Sequence, residues 1–196
     1  MVIFLYTIKN NIENSLKIKN SNFITCLFYV ENISDALQYI KEVKNKYPKA
    51  SHYCYAYIIG PVNKACDDGE PSGTAGIPML NVLIQKNLKN ILAVVVRYFG
   101  GIKLGAAGLL RAYTTSVTSA LELSGITEII PGIRVKVTIN YSGISNFEYL
   151  IKDSTIISKV FSDNACYIVD IDAKNLNIIS NYNYEIISHL NIKKKP

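Results

Sequence analysis

Between Ile91 and Val96 the chain carries six aliphatic residues in a row, the longest unbroken aliphatic run in its 196 residues. Six residues are far short of the ~18–20 that a membrane helix needs, so the run reads as a buried β-strand. The residues after it constrain the fold further. Arg97 ends the strand and Gly100-Gly101 permits a tight turn. Apolar residues then recur at Leu110, Tyr113, Val117 and Leu121, which predicts a helix from about Leu104 to Leu123 with Gly125 as its stop. A buried strand turning directly into a long amphipathic helix is the signature of a mixed α/β (α+β) protein.

The flanking sequence extends this pattern. Residues 21–30 and 52–59 read as strands, the second alternating Tyr53, Tyr55 and Tyr57 with Cys54, Ala56 and Ile58. Between them Ala36, Ile40, Val43 and Tyr47 keep helical spacing, with Ser34 as the expected N-cap and Pro48 as the stop. The polar stretch from Asn63 to Pro78 reads as one long loop, and loops of that length in compact domains usually carry function. Beyond Pro131-Gly132, the expected domain boundary, the order is a strand over 135–141, a helix over 144–151, a hairpin around Asp163-Asn164, and a last helix over 176–190. This gives two domains, residues 1–132 and a small ferredoxin-like layer over 133–196 whose sheet is expected to stay open for want of a final strand.

Charge and cysteine usage narrow the setting. The net charge of +6 is thinly spread: residues 1–132 hold 13 Lys and Arg against 9 Asp and Glu, and the surplus of two in the remainder is supplied by the terminal Lys193-Lys194-Lys195, expected to be a solvated end. Lysine outnumbers arginine 18 to 3, so Arg97, Arg111 and Arg134 stand out. Cys26, Cys54, Cys66 and Cys166 show no paired spacing, which argues against a zinc knuckle, a redox motif or a disulfide scaffold and leaves buried thiols as the expectation. With no secretory pattern at Val2-Ile3-Phe4-Leu5-Tyr6, a cytoplasmic protein that makes no use of a membrane is expected.

Two blocks can carry chemistry. In Arg97 to Tyr113, helix-terminal N–H groups attract anions, Arg97, Lys103 and Arg111 add full charges, and Gly100, Gly101, Gly105 and Gly108 admit a close approach. Phosphate is the expected guest, although the spacing matches neither a P-loop nor a dinucleotide fingerprint. In Cys66 to Pro78, three carboxylates (Asp67, Asp68 and Glu70) stand with Ser72 and Thr74, after His52 on the preceding strand. They offer metal ligands or an acid–base pair, but no ligand spacing of known geometry is present, so no metal, cofactor or catalytic residue is assigned. Two readings stay open: the arginines face a ligand groove, or they pair with the acidic loop. For Tyr53, Tyr55 and Tyr57, base stacking is the functional reading, and packing beneath a helix is favoured.

Together the blocks resemble the YigZ/IMPACT family over roughly residues 15–125. The match is carried by Ser51 to Tyr57, Asp67 to Gly76, Arg97 to Gly105 and Gly108 to Tyr113. The resemblance implies a first domain of two layers, like a small-subunit ribosomal protein and domain IV of elongation factor G. It implies a second domain like the last domain of that factor. It also implies a role in translational control or stress response, with RNA, the ribosome or a translation factor as partner. An enzyme or binding protein for a small phosphorylated or nucleotide ligand is the alternative. The family supplies no catalytic residue to carry over.

Overall fold

The computed structural model describes residues 5–194; Val2, Ile3, Phe4 and Lys195 of the sequence reading lie outside the described residues. The elements in chain order are β1 (Leu5–Ile8), β2 (Ile12–Ile18), β3 (Ser21–Tyr29), α1 (Ile33–Lys46), β4 (His52–Ile59), β5 (Val62–Cys66), α2 (Gly76–Gln85), β6 (Ile91–Tyr98), α3 (Gly105–Ser124), β7 (Ile126–Ile139), α4 (Ile144–Leu150), β8 (Thr155–Phe161), β9 (Ala165–Asp172) and β10 (Asn183–Lys193). The chain divides into two compact units, Met1–Thr127 and Glu128–Pro196, and Pro131 and Gly132 lie inside β7.

In the first unit an antiparallel sheet runs β2-β3-β6-β4-β5, with the aliphatic strand β6 at its centre. Successive residues of a strand face opposite sides. Ile91, Ala93 and Val95 therefore point with Phe23, Leu27, Cys54 and Ala56 into a core roofed by α2 and α3. Leu92, Val94 and Val96 point with Ile24, Cys26 and Tyr57 towards Ala36, Ile40 and Val43 of α1. Both faces of β6 are buried, which is why it contains no polar residue before Arg97. Helix α1 adds a third layer to the two that the resemblance implies. The tyrosines of β4 lie on its side: Tyr57 is buried, and Tyr53 and Tyr55 pack partly buried against the same core.

Several local expectations are corrected. The N-cap of α1 is Asn32, not Ser34: the Asp35 N–H donates to Asn32 Oδ1 at 2.9 Å, and Ser34 Oγ donates to the same oxygen at 2.6 Å. The stretch 63–78 is not one loop, because β5 pairs with β4 and α2 begins at Gly76. Strand β5 is a polar edge strand, and α2 opens with Gly and Pro. Proline is tolerated in a first turn because those N–H groups have no partner within the helix. In α3 the buried stripe runs through Leu109, Ala112, Tyr113, Ser116 and Val117, while Leu110 is exposed, one position off the inward face.

The second unit has a sheet in the order β10-β7-β9-β8, antiparallel throughout, with α4 and a 3₁₀ turn over 173–179 covering one face. This is the full ferredoxin-like β-α-β-β-α-β order. The expected last helix over 176–190 is instead that 3₁₀ turn followed by β10, so the sheet is not left open. Its Ile- and Asn-rich sequence suits a strand better than a helix, and β7 offers a free edge for it to pair with. Lys193 belongs to β10, and Lys194 Nζ donates to Glu128 at 2.7 Å, so these two lysines are anchored rather than a loose end. No described helix is long and apolar enough to cross a membrane.

The Asn32 cap yields a direct check. Asn32→Ala should cost about 1 kcal/mol of stability, and Ser34→Ala distinctly less, in urea denaturation followed by circular dichroism. Equal losses would return the capping role to Ser34.

Candidate functional site

The two blocks singled out in the sequence meet at one end of the first sheet, and the register explains how. Arg97 stands opposite His52 on β4 and Phe23 on β3. It continues the stripe Ile91, Ala93, Val95, so its side chain is carried beneath α3 and is only 5% exposed. A buried guanidinium needs a counter-charge, and the loop after β5 supplies it: Arg97 Nη1 donates to Glu70 Oε1 at 2.6 Å. Tyr113 of α3 donates to the same oxygen at 2.8 Å, and Arg97 Nη2 reaches Ser21 Oγ at 3.4 Å. The guanidinium also lies 5.4 Å from the ring centres of both Phe23 and Phe99. Its Nε is buried and has no hydrogen-bond partner among the described residues.

The other carboxylates of the loop hold backbone. Asp67 accepts from the N–H groups of Gly73, Ala75 and Gly76 at 2.8, 3.0 and 2.8 Å, and so caps α2 from nine residues before its first turn. Burial alone would raise its pKa, but these three N–H groups together hold it below the ordinary carboxylate value. Asp68, at φ +43°, accepts from the Tyr53 N–H at 2.7 Å and lies 3.6 Å from Lys44 Nζ. Its carbonyl oxygen meets His52 Nδ1 at 2.9 Å. Thr74 is buried and donates to the Pro71 carbonyl at 2.6 Å, whereas Ser72 is exposed. Cys54 lies 2.9 Å from the Asp67 carbonyl oxygen and 3.2 Å from the Tyr113 hydroxyl. Burial pushes the Cys54 thiol up, and nearby carboxylates add to this, so it is no thiolate nucleophile. Burial, then Cys54 and Glu70, likewise hold the Tyr113 phenol far above its usual range, which keeps it a donor to Glu70.

The glycine-rich segment has a different part to play. Gly100 packs on the β2–β3 turn so closely that an added Cβ would lie 2.1 Å from the Asn20 carbonyl, and its N–H donates to Ser21 Oγ at 3.2 Å. Gly101 and Gly105 adopt φ +83° and +70°, which brings the chain into α3. Gly108 faces Leu104, where an added Cβ would lie 3.1 Å from the Leu104 Cβ. Among the described residues no side chain caps α3, and its first turn holds no acidic residue. Lys103 and Arg111 are both exposed and, among the described residues, form no ion pair. A cavity of about 390 Å³ lies against this helix start, lined by His52, Glu70, Arg97, Phe99, Lys103 and Gly105 among others. A smaller one of about 230 Å³, which also touches Leu104, is lined by Lys19, Gly108 and Arg111.

The two arginines therefore part company: Arg97 is tied to the acidic loop and Arg111 faces solvent. Among the described residues no three His, Cys, Asp or Glu side chains gather as a metal site. Sequence reasoning missed Ser21, Lys19, Phe99 and the Tyr113 hydroxyl as parts of this end of the sheet. Only the pairing of β3 with β6, unreadable along the chain, brings the first two here.

Comparisons with known proteins agree on a relationship. The family model described as the Impact N-terminal domain matches residues 19–121. The IMPACT family member YvyE of Bacillus subtilis (strain 168) is 38% identical over 186 residues, 92% of this chain and 86% of that protein. The IMPACT family member YigZ of Escherichia coli (strain K12) is 42% identical over 111 residues, 54% of each. A solved crystal structure of a hypothetical protein superposes with a TM-score of 0.66 at 28% identity, covering 96% of this chain and 98% of that one.

Two outcomes test the network. Arg97→Met leaves Glu70 buried without its cation and should cost about 3–5 kcal/mol in chemical denaturation, while Arg97→Met with Glu70→Leu should recover most of the loss. Asp67→Asn sets an amide against one of the three N–H groups and should cost about 1–3 kcal/mol near neutral pH. The contribution of a carboxylate with a depressed pKa is complete above its ordinary value of 3.8 and disappears as pH falls through the lower folded value. The melting temperatures of wild type and variant should therefore converge in strong acid, and a constant gap across pH would count against this account.

Proposed function

The chain belongs to the IMPACT family, and from that premise we propose that it acts in the cytoplasm in translational regulation or a stress response, binding structured RNA of the translation machinery through the basic surface at the start of α3. The observation that carries the reading is electrostatic. A helix start bears about half a positive charge and ordinarily attracts acidic or capping side chains. Among the described residues it has neither, and the exposed cations Lys19, Lys103 and Arg111 lie around it instead. The nearby carboxylates are already matched: Glu70 by the Arg97 cation, Asp67 by the α2 amides and Asp68 by the β4 backbone and Lys44. An incoming phosphate relieves this unbalanced charge, and phosphate contacts position a protein on RNA without reading its sequence.

In this reading Arg97 is an internal support rather than a phosphate ligand. The grip comes from Lys19, Lys103, Arg111 and the first-turn amides. Tyr53 and Tyr57 are committed to packing, since Tyr53 donates its hydroxyl to the Tyr47 carbonyl and stands under Lys44, and Tyr57 is buried. The role in translation follows the family resemblance, and the charge distribution favours nucleic acid as the partner.

Co-sedimentation of the whole protein with ribosomes and with purified ribosomal RNA, across a salt series, tests the proposal. Binding should weaken steeply with salt, and Lys103→Glu with Arg111→Glu should reduce it and flatten the slope of log K against log salt by roughly 0.7–0.9 for each phosphate no longer neutralised. Salt-insensitive or absent sedimentation of the wild type would end this reading.

A further inference from the structure

The cavity against the α3 start holds polar atoms that neither the fold nor the RNA surface uses. Glu70 is more than nine-tenths buried, and both hydrogen bonds it accepts, from Arg97 and Tyr113, end on Oε1. Among the described residues none donates to Oε2, whose nearest charged neighbour is His52 Nε2 at 3.9 Å, beyond hydrogen-bond reach. The other His52 nitrogen, Nδ1, meets the Asp68 carbonyl oxygen at 2.9 Å. A carbonyl only accepts, so in the neutral ring Nδ1 carries the proton and Nε2 presents its lone pair. In that form two acceptors line the cavity 3.9 Å apart. Oε2 is open to the cavity, and a ligand bearing two neighbouring hydroxyl groups answers both acceptors at once.

The same cavity holds the opposite polarity at its other side. Lys103 and the opening residues of α3, Gly105 and Ala106, line it, and that helix has no side-chain cap among the described residues. Phe99, 48% exposed, also lines it, and the Arg97 guanidinium lies 5.4 Å from its ring centre. A pair of acceptors, a cationic helix start and an exposed aromatic ring around about 390 Å³ make a set of three complementary features, within the ~300–1,000 Å³ of small-molecule sites.

We propose that this cavity binds a ribonucleotide unit, with ribose hydroxyls donating to Glu70 Oε2 and His52 Nε2, the phosphate on Lys103 and the first-turn amides of α3, and the base against Phe99. Hydroxyl recognition is what separates this unit from a bare phosphate and from a deoxy sugar. The unit comes either as a free mononucleotide or as the end of an RNA chain, and for the second source the inference rests on the RNA reading above.

Isothermal titration of the whole protein with 5′-AMP, its 2′,3′-dideoxy counterpart, inorganic phosphate and a short oligoribonucleotide with a free 3′ end tests it. Either 5′-AMP or the oligoribonucleotide should bind, which identifies the source. The dideoxy compound and phosphate should bind about tenfold or more weakly than 5′-AMP if that is the source. If the oligoribonucleotide is the source, its 2′,3′-dideoxy-terminated form should be weakened likewise. Glu70→Gln should lose this preference for hydroxyls. Because that variant disturbs the Arg97 pair, Phe99→Ala at the exposed ring serves as a second one, expected to weaken the nucleotide and leave phosphate unchanged. Equal affinity for the hydroxyl-bearing and dideoxy forms, or no binding of either source, overturns the proposal. Such a failure alongside salt-sensitive ribosome sedimentation would leave the RNA surface standing, and 5′-AMP binding without sedimentation would do the reverse.

Discussion

The pairing of Arg97 with Glu70 is the constraint around which this end of the molecule is arranged. Alternation along β6 leaves Arg97 almost wholly buried, because the inward stripe that begins at Ile91 runs under α3. A buried guanidinium without a carboxylate is untenable, so the loop after β5 must bring one in. Asp67 makes that loop dependable by taking three backbone N–H groups, and in doing so it starts α2. Tyr113 and Phe23, packed edge to face at 5.3 Å, close the network from above and below. Strand, loop and two helices are thus held through one ion pair and one carboxylate cap.

That arrangement has an electrostatic consequence at the surface. Three acidic residues in four would ordinarily make this end of the protein negative. Because each is directed to a backbone group or a buried cation, the exposed charge around the α3 start comes from Lys19, Lys103 and Arg111. The same economy of donors leaves one oxygen of Glu70 and one nitrogen of His52 facing the cavity without hydrogen bonds among the described residues. The structural pair and the cavity-facing groups are therefore two sides of the same residues, which is why one block of sequence supports both a packing account and a functional reading.

What could be read along the chain depends on the strength of the local signal. Strands β3, β4 and β6 and helix α3 were legible because long apolar stretches with a clear period leave little choice of conformation. Edge strand β5 and helix α2 were hidden, the first by polar residues that one-sided pairing tolerates and the second by Gly76 and Pro78, which resemble loop chemistry. Strand β10 reads as a helix along the chain because a segment over 176–190 with mixed apolar spacing takes its conformation from pairing with β7. Of the site, the residue types and the two blocks were visible in sequence, as was the choice between a groove and an ion pair for the arginines. The roles of Ser21 and Lys19 were not, since they approach only through strand pairing.

The sequence by itself determined the family, the α/β class, the glycine-rich entry into α3 and the set of charged residues that had to find partners, because each is a property of residue type and spacing. The tertiary structure alone decided which charge meets which. Arg97 and Arg111 are fourteen positions apart on adjoining elements, yet one lies in the core beside Glu70 and the other in solvent. The physical reason is register: the side of a strand or helix on which a side chain emerges is set by packing against elements far away in sequence, and burial then determines whether a charge must pair or is left to meet a ligand.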